Sequence, residues 1–212
     1  MFRWISLFNR KKKQDLKIDP LMKYLIVGLG NMGPDYEDTR HNVGFDVVDQ
    51  LAASKDCVFK PEQLGDLTSF KYKGRIVYLL KPSTFMNLSG KAVRYWVNKL
   101  KIPDQNWLIV VDEFQFDLGE YKLQKKGSPG GHNGLKSIED YMQTSTYPRL
   151  RIGIGHDFPK GGQVDYVLGR CTPSEHSLLQ PVLKQANEVI LSFVGIGLER
   201  SMSLHNRKKS AD

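Results

Sequence analysis

The stretch LIVGLGNMGPDY, residues 25–36, decides how the start of the fold is interpreted. Its apolar beginning is typical of a buried β-strand, and a G-x-G-x-x-G pattern, as in dinucleotide-binding proteins, is formed by Gly28, Gly30 and Gly33. That motif also needs a helix opening directly after the glycines and an acidic residue about 20 positions on, at the end of a second strand. Pro34 follows instead, and the acidic position falls in the helical pattern FDVVDQLA, residues 45–52. The glycines therefore predict a turn, and a nucleotide-dependent oxidoreductase is the weaker alternative.

The composition fits one domain with one sizeable core. The chain has 212 residues, 40% of them apolar, and its two cysteines, Cys57 and Cys171, have no C-x-x-C spacing. This predicts neither a disulfide framework nor a zinc site, and it favours a reducing compartment. Zinc-protease, P-loop and nucleophile-elbow motifs are absent, and no apolar run approaches the roughly 18 residues of a membrane span. We expect a cytoplasmic location and no membrane partner.

The net charge of +8 predicts an anionic partner, but the charge is unevenly distributed. Residues 1–20 carry six basic and two acidic side chains, and residues 205–212 carry three and one. The net charge is thus +4 for residues 1–20 and +2 for residues 205–212, which leaves a net charge of +2 for residues 21–204. A uniformly basic domain that coats nucleic acid is disfavoured, whereas a local basic site beside basic tails fits this distribution.

The compact pattern begins near Met22, which divides the chain into three segments. We predict a basic extension over residues 1–21 that is disordered, an α/β domain over residues 22–200 and a basic tail over residues 201–212. Part of the extension, FRWISLFNRKKK, is amphipathic enough to lie on a membrane or to act as a leader. A frayed extension or a start codon assigned too early is the favoured alternative.

Strand and helix patterns alternate along the compact segment. This alternation predicts a single-domain three-layer α/β sandwich, in which helices flank a twisted mixed β-sheet. The most apolar strand, WLIVVDE, is expected to be central and parallel, because such strands are buried on both faces. Strands are predicted over 23–29, 68–73, 75–82, 107–113, 119–126 and 148–155, and helices over 42–53, 84–100, 134–142 and from a capping box at Thr172. The 84–100 helix is expected to present one apolar face that includes Phe85, Leu88, Ala92, Trp96 and Leu100.

Two residues could form a proton-transfer pair at the carboxyl edge of this sheet, where ligands bind in such folds. Asp112 ends the central strand and His41 precedes a helix. A histidine oriented by a carboxylate through one ring nitrogen can take a proton from water with the other. Taken singly, each has a structural alternative: His41 as a helix-start residue and Asp112 as the cap of a neighbouring turn.

Three asparagines lie on segments that can reach the same edge: Asn31, Asn87 and Asn133. An amide offers donors and an acceptor, which suits the binding of peptide and ribose groups, although each could equally be a turn or cap residue. The glycines around His132 make a pliable loop that can approach a ligand closely.

A basic cluster is predicted beside this edge. Arg149 and Arg151 are two apart on a strand and so point to one face, while Lys122, Lys125 and Lys126 come from the neighbouring strand and loop. As a cluster they would suit phosphate contacts, and as separate charges they would be a solvated face.

Four motifs in order, LIVGLGNMGPDYEDTRHNVGF, KPSTFMNLSGKAV, VDEF and GGHNGLKSI with RLRIGIGH, resemble the bacterial peptidyl-tRNA hydrolase family. The resemblance covers residues 22 to about 200. It implies hydrolysis of the ester that joins a peptide to the 3′-terminal ribose of tRNA, which frees the tRNA for translation. The implied partner is peptidyl-tRNA, bound through its 3′ end and acceptor arm. No cofactor, metal ion, covalent intermediate or stable protein partner is implied, and a monomer is expected.

The resemblance also assigns roles. The family's general base falls on His41, its orienting carboxylate on Asp112, and the asparagine that separates N-blocked substrates from free aminoacyl-tRNA on Asn31. Positions that bind the tRNA 3′ end or the peptide, or line their cleft, match Tyr36, Phe85, Met86, Asn87, His132 and Asn133. Arg151 matches a residue of the phosphate clamp, to which Lys122, Lys125 and Arg149 are added as expected phosphate contacts.

Three departures from the family pattern affect these assignments. Met32 stands where proline is usual, Ser128 and Pro129 stand in a loop that is usually richer in glycine and has another histidine, and Gln124 occupies a clamp-lysine position. Lys125 or Lys126 could replace that lysine. The alternative function is a non-catalytic RNA-binding relative, since the fold also occurs in organelle proteins that assist RNA splicing; His41 together with Asp112 argues against it.

Overall fold

A single seven-stranded sheet organises the computed structural model, which describes residues 19–206. The strand order is β2-β3-β4-β1-β5-β7-β6. β1 pairs in parallel with β4 and β5, β5 pairs in parallel with β7, and the remaining pairs are antiparallel. The bounds are β1 Lys23–Gly28, β2 Lys60–Glu62, β3 Gly65–Tyr72, β4 Arg75–Pro82, β5 Trp107–Glu113, β6 Tyr121–Gln124 and β7 Arg149–Gly153. The mixed sheet and the buried parallel position of β5 are confirmed.

Helices cover both faces of the sheet, which confirms the three-layer α/β sandwich. The bounds are α1 Val43–Ala53, α2 Ser89–Leu100, α3 Asn133–Met142, α4 Gln163–Leu168, α5 Pro173–Ile196 and α6 Leu198–His205. One core cluster joins α1 and α5 to the sheet, with Val47 and Leu183 among its members. A second cluster joins α2 and α3 to the other face, with Trp96 and Ile138 among its members. No helix among residues 19–206 is long and apolar enough to cross a membrane.

Two of the three glycines at the end of β1 and just after it, Gly28 and Gly30, allow close packing. A Cβ at Gly28 would collide with the carbonyl of Gly44 in α1, and one at Gly30 would lie 2.7 Å from the ring of Phe45. Only Gly33 has a positive φ, 109°, and a 3-10 turn follows it over Pro34–Tyr36. Because α1 begins only at Val43, no helix N-terminus faces these glycines as a dinucleotide site requires.

The predicted helix over residues 84–100 begins later than expected. A 3-10 turn occupies Met86–Leu88 and α2 starts at Ser89, so Phe85 precedes the helix and is 67% exposed. The prediction that Phe85 and Leu88 share the buried face of Trp96 is therefore wrong. The reason is a tertiary contact: the Asn31 side chain accepts a hydrogen bond from the Met86 backbone and holds the 3-10 turn at the carboxyl ends of the strands.

The C-terminal helices confirm one prediction and correct another. Thr172 and Glu175 form the predicted capping box at the start of α5. α6 ends at His205, beyond the domain boundary predicted at residue 200, and the Asn206 side chain bonds the backbone of Leu123 in β6 through both its oxygen and its nitrogen. Residues 1–18 of the predicted extension and residues 207–212 of the predicted tail lie outside the described residues.

Candidate active site

A cleft of about 550 Å³ opens at the carboxyl ends of β1 and β5. It is the position that the fold class favours for a ligand site, because loops after parallel strands converge there. The structure brings together most of the predicted site residues in its wall, namely Asn31, His41, Phe85, Met86, Asn87, Asp112, His132 and Asn133. Tyr36 is not among the lining residues; it ends the 3-10 turn that follows Gly33 and is half-buried.

His41 and Asp112 form a buried pair at the base of the cleft. Asp112 is the penultimate residue of β5 and is 4% exposed, and Nδ1 of His41 lies 2.9 Å from its Oδ2 and 3.0 Å from its Oδ1. Because a carboxylate only accepts hydrogen bonds, Nδ1 must carry the proton of the neutral ring. The lone pair of that ring is then on Nε2, which has no hydrogen-bond partner within residues 19–206. The geometry leaves one basic nitrogen uncommitted.

A second imidazole contacts the same carboxylate. Nε2 of His132 lies 2.9 Å from Oδ1 of Asp112, and its Nδ1 accepts the backbone N–H of Gly134 at 3.1 Å as the N-cap of α3. These contacts fix the His132 proton on Nε2, which donates to Asp112. The two rings lie 4.8 Å apart between centroids. His132 has both nitrogens committed to protein groups, in contrast to His41.

Charge within this cluster sets its protonation. Burial alone would lower the pKa of His41, but the charge of Asp112 and its hydrogen bond outweigh burial and raise that pKa above the ordinary value of 6.5. Burial acts to raise the pKa of Asp112, yet both imidazoles hold it below its ordinary value of 3.8. Asp112 is therefore ionised at neutral pH, and it stabilises positive charge on His41.

His41, Asp112 and His132 are also the group that could hold a metal ion, since their donor atoms lie within 4.8 Å of one another. Zinc needs nitrogen and oxygen ligands at about 2.0–2.2 Å. In this arrangement the ring N–H groups of both histidines point at the Asp112 oxygens, and the other nitrogen of His132 is occupied by Gly134. A metal would have to displace these hydrogen bonds, so the donor set fits a hydrogen-bonded cluster better than a metal centre.

The turn that carries His41 is anchored from the opposite side by its neighbour Arg40. The Arg40 guanidinium donates to both oxygens of Glu175 at 2.8–3.0 Å and to the Tyr166 carbonyl at 3.1 Å, and it lies 4.3 Å from the centre of the Tyr166 ring. The Arg40 backbone N–H also bonds the Gly169 carbonyl. These contacts tie the His41 turn to α4 and to the start of α5.

Asn31 is positioned by a residue that the sequence analysis missed. Asn42 accepts the Asn31 backbone N–H at 2.8 Å and donates to the Asn31 carbonyl at 3.0 Å. Oδ1 of Asn31 accepts the Met86 N–H at 3.0 Å, and its Nδ2 has no partner among the described residues. The amide is thus held with its oxygen committed and its N–H₂ group free. Asn42 follows His41 directly in TRHN, so only its tertiary contact distinguishes it from a helix-start residue.

The cleft has an apolar wall that the sequence analysis also missed. α4 contributes Val164, Val167 and Leu168 to the lining, which also includes Phe85 and Phe114. Val164 and Phe85 are 64% and 67% exposed. The spacing of three and four in QVDYVL was a usable signal of an amphipathic turn, but six residues are short for a helix pattern. Asn87 and Asn133, both exposed, stand at the rim of the cleft.

The two phosphate contacts predicted on β7 are buried in this structure, and their role stays a prediction. Arg149 is fully buried and Arg151 is 7% exposed. Arg151 is ion-paired with Glu113, and both guanidinium groups donate to the Ser128 carbonyl, at 2.6 Å from Arg151 and 3.2 Å from Arg149. The prediction of one shared face is confirmed, but that face lies under the glycine loop. In this arrangement neither arginine presents a free guanidinium to a phosphate.

The predicted lysines are exposed but lie outside the cleft. Lys122 is on β6 opposite Arg151, and Lys125 pairs with Glu199 of α6 at 2.9 Å. Whether Lys125 or Lys126 replaces the clamp lysine at Gln124 stays a prediction.

The family follows from comparison with known proteins. Residues 25–212 match the family described as peptidyl-tRNA hydrolase. This chain belongs to the peptidyl-tRNA hydrolase family. It is 50% identical over 187 residues to the peptidyl-tRNA hydrolase of Bacteroides fragilis, a match that covers 88% of this chain and all of the relative. The corresponding protein of Clostridium botulinum is 38% identical over 187 residues, covering 88% of this chain and 98% of the relative.

Solved structures of the peptidyl-tRNA hydrolase family agree with this fold. The crystal structure of peptidyl-tRNA hydrolase from Acinetobacter baumannii superimposes with a TM-score of 0.81 at 35% identity, covering 88% of this chain and 95% of that one. The resemblance found in the motifs and the α/β fold are therefore confirmed, and the chain is a hydrolase like its relatives.

Proposed function

We propose that this hydrolase cleaves the ester between a peptide and the 3′-terminal ribose of tRNA by general-base catalysis. The observation that carries the mechanism is the uncommitted Nε2 of His41, since Nδ1 is held by Asp112 and the ring lines the cleft. Nε2 takes a proton from a water molecule, and the resulting hydroxide attacks the ester carbonyl. General-base catalysis of this kind contributes about 10²- to 10⁴-fold.

Asp112 acts on the imidazolium that forms in this step. Its carboxylate stays ionised and lies in contact with Nδ1, so the positive charge gained by His41 is paired where it appears. His132 donates to Oδ1 of the same carboxylate, and this second hydrogen bond keeps the carboxylate in place for His41. Asp112 and His132 therefore orient the base, and His41 is the group that exchanges the proton.

Amide donors stabilise the charge on the substrate. The free N–H₂ group of Asn31 and the rim amides of Asn87 and Asn133 supply donors for the ester oxygen as it becomes negative. Loss of one such donor typically costs about 10²- to 10³-fold in rate. As the ester bond breaks, the ribose oxygen leaves with the proton that Nε2 of His41 took from water, which restores the neutral imidazole. A ribose hydroxyl is a better leaving group than an amine, so the proposed mechanism needs no covalent intermediate and no metal ion.

The substrate would lie across the cleft with its two ends in different surroundings. The apolar wall of Phe85, Val164 and Leu168 suits peptide side chains, and the polar rim suits the ribose. A monomeric state, a cytoplasmic location and the absence of a stable protein partner stay predictions, as does substrate binding by Tyr36.

The test is hydrolysis of N-acetyl-aminoacyl-tRNA by purified protein. We expect release of free tRNA by the unchanged chain, a loss of about 10²-fold or more in His41→Ala, and near-full activity in His176→Ala, a control at an exposed histidine of α5. Cleavage undiminished in His41→Ala would contradict the mechanism. RNA binding without any turnover would support the non-catalytic RNA-binding alternative, and saturable NAD binding would support the oxidoreductase.

A further inference from the structure

The amino edge of the sheet, opposite the cleft, carries a group of cationic side chains that is here called the basic face. β1 and β4 run in parallel and both begin at this edge, and the antiparallel β3 ends there. β1 is six residues long, so at about 3.3 Å per residue the edge lies about 20 Å from the carboxyl edge. The basic face consists of the cations at the start of β1, around the turn between β3 and β4 and at the end of α2, namely Lys23, Lys71, Lys73, Arg75, Lys99 and Lys101.

The three parts of the basic face meet where the chain enters the sheet. Nζ of Lys23 donates to the Leu100 carbonyl at 3.1 Å, which joins the start of β1 to the end of α2. Gly74, in the turn between β3 and β4, lies beside Met22, since a Cβ there would be 3.9 Å from Cε of Met22. Leu21, one residue earlier, is 59% exposed. The chain before β1 therefore joins the domain within the basic face.

The charge of the basic face is not neutralised inside the domain. Residues 19–23, 71–75 and 99–104 contain its six basic side chains and two acidic ones, Asp19 and Asp104. Residues 21–204 as a whole have a net charge of only +2, so the rest of that segment is net negative. None of the six cations belongs to an ion pair found within residues 19–206, whereas Lys81 and Lys125 do. The positive charge of the domain is thus concentrated at the amino edge.

The sequence before this edge combines apolar and basic residues. Residues 1–18 lie outside the described residues, and the match to the family begins only at residue 25. The stretch FRWISLFNRKKK, residues 2–13, contains five bulky apolar residues, five basic residues and no acidic one. Phospholipid surfaces attract cations through anionic headgroups and take up aromatic and aliphatic side chains at the acyl boundary. A single-stranded RNA would use the cations and the aromatic rings, but it offers no partner to Ile5 and Leu7.

We propose that residues 2–13 and the basic face together bind the surface of an anionic phospholipid membrane. Stable attachment to a bilayer takes two signals, such as an apolar anchor beside a polybasic patch, and here the first adjoins the second. The binding is peripheral. The cleft, at the carboxyl edge, then faces away from the lipid and stays open to substrate. The sequence-based expectation of no membrane partner is revised, because only the fold brings the cations of β1, the β3–β4 turn and α2 together.

The test is cosedimentation of the full chain with two kinds of vesicle, one of phosphatidylcholine alone and one of phosphatidylcholine and phosphatidylserine in equal parts. A charge variant removes three cations of the basic face, Lys73→Gln/Lys99→Gln/Lys101→Gln. Its control removes three exposed lysines away from the amino edge, one of them at the other end of α2, Lys60→Gln/Lys91→Gln/Lys184→Gln. Far-UV circular dichroism checks that each variant is folded.

A second pair of variants tests the apolar signal without changing charge. Trp4→Ser/Phe8→Ser removes two aromatic rings from residues 2–13. Val58→Ser/Leu178→Ser removes two exposed apolar side chains elsewhere, which are 78% and 57% exposed, as the control.

The unchanged chain should bind the anionic vesicles, bind phosphatidylcholine alone far more weakly, and be released by added salt. The charge variant should lower the partition coefficient for anionic vesicles by about tenfold or more, and Trp4→Ser/Phe8→Ser by a similar factor, whereas both controls should bind as the unchanged chain does. No binding to anionic vesicles, or an equal loss in a variant and its control, would overturn the proposal. Binding of an oligoribonucleotide without binding of vesicles would overturn it in favour of RNA. A start at Met22, found by N-terminal sequencing of the protein from its own cells, would also overturn it.

Discussion

Two buried polar clusters stand at neighbouring residues of β5 and differ in what they leave free. Asp112 faces the side of the sheet covered by α1 and binds His41 and His132. Glu113 faces the α2 side and pairs with Arg151, whose guanidinium also donates to Ser128. The first cluster keeps a ring nitrogen at the cleft, whereas in the second Nη1 and Nη2 of Arg151 donate to protein acceptors. Burial alone therefore does not distinguish the two clusters, whereas the uncommitted ring nitrogen at the cleft does.

The largest expected effect belongs to the first cluster. Asp112→Asn replaces an acceptor by an amide that can donate to Nδ1 of His41, which favours the wrong tautomer of the base. We expect kcat to fall about 10³-fold or more. The melting temperature should change little by comparison, as followed by circular dichroism. A variant that keeps more than a tenth of the activity would make the Asp112 cluster structural, like its neighbour.

The second cluster should respond in stability more than in chemistry. Arg151→Ala leaves the Glu113 carboxylate buried without its partner, and we expect the free energy of unfolding to fall by about 3–5 kcal/mol in urea titration. Among molecules that remain folded, kcat should fall far less than in Asp112→Asn. The matched variant Arg151→Met/Glu113→Leu removes both charges and should recover much of the lost stability. If the double variant is as unstable as the single one, the ion pair is not the source of the loss.

His132 shares one property with each cluster. It contacts Asp112 in the first cluster, but like Arg151 in the second it donates to a protein acceptor, and neither of its ring nitrogens is free. His132→Ala removes the donor to Asp112 and the N-cap acceptor of α3, and we expect a loss of about 1 kcal/mol of stability from the cap. The effect on kcat should be intermediate, between that of Asp112→Asn and that of Arg151→Ala. Single-turnover assays measure it. A loss in kcat as large as that of Asp112→Asn, or no loss at all, would contradict this intermediate effect.

The fold class was predictable from the sequence because its signals are local. The apolar run of β5, the alternation of strands and helices, and the capping box at Thr172 each depend on neighbouring residues. The start of α2 was predicted too early because Asn31, distant in sequence, holds Met86 in a 3-10 turn. A hydrophobic sequence pattern cannot show such a contact. The helix α4 was not predicted because its six residues are too few for a distinct helical period.

The site was predictable in its residue types but not in its accessibility. His41, Asp112 and the asparagines line one cleft, as expected for residues near the carboxyl ends of parallel strands. For Arg149 and Arg151, the alternation of side chains along a β-strand correctly predicted that both point to one face of the sheet. It could not distinguish a solvated face from one that is covered by the loop around Ser128. That distinction depends on the path of a glycine-rich loop, which has no periodic signal.

The measurement that tests the central claim most directly is the pH dependence of kcat/KM for N-acetyl-aminoacyl-tRNA, in the unchanged chain and in Asp112→Asn. His41 is active when neutral, so kcat/KM should rise with pH through a midpoint above 6.5, because Asp112 raises the pKa of His41. In Asp112→Asn only burial acts on the ring, so the midpoint should move below 6.5 on a much lower plateau. The same midpoint in both proteins, or a rate independent of pH, would contradict the assignment of His41 as a base held by Asp112.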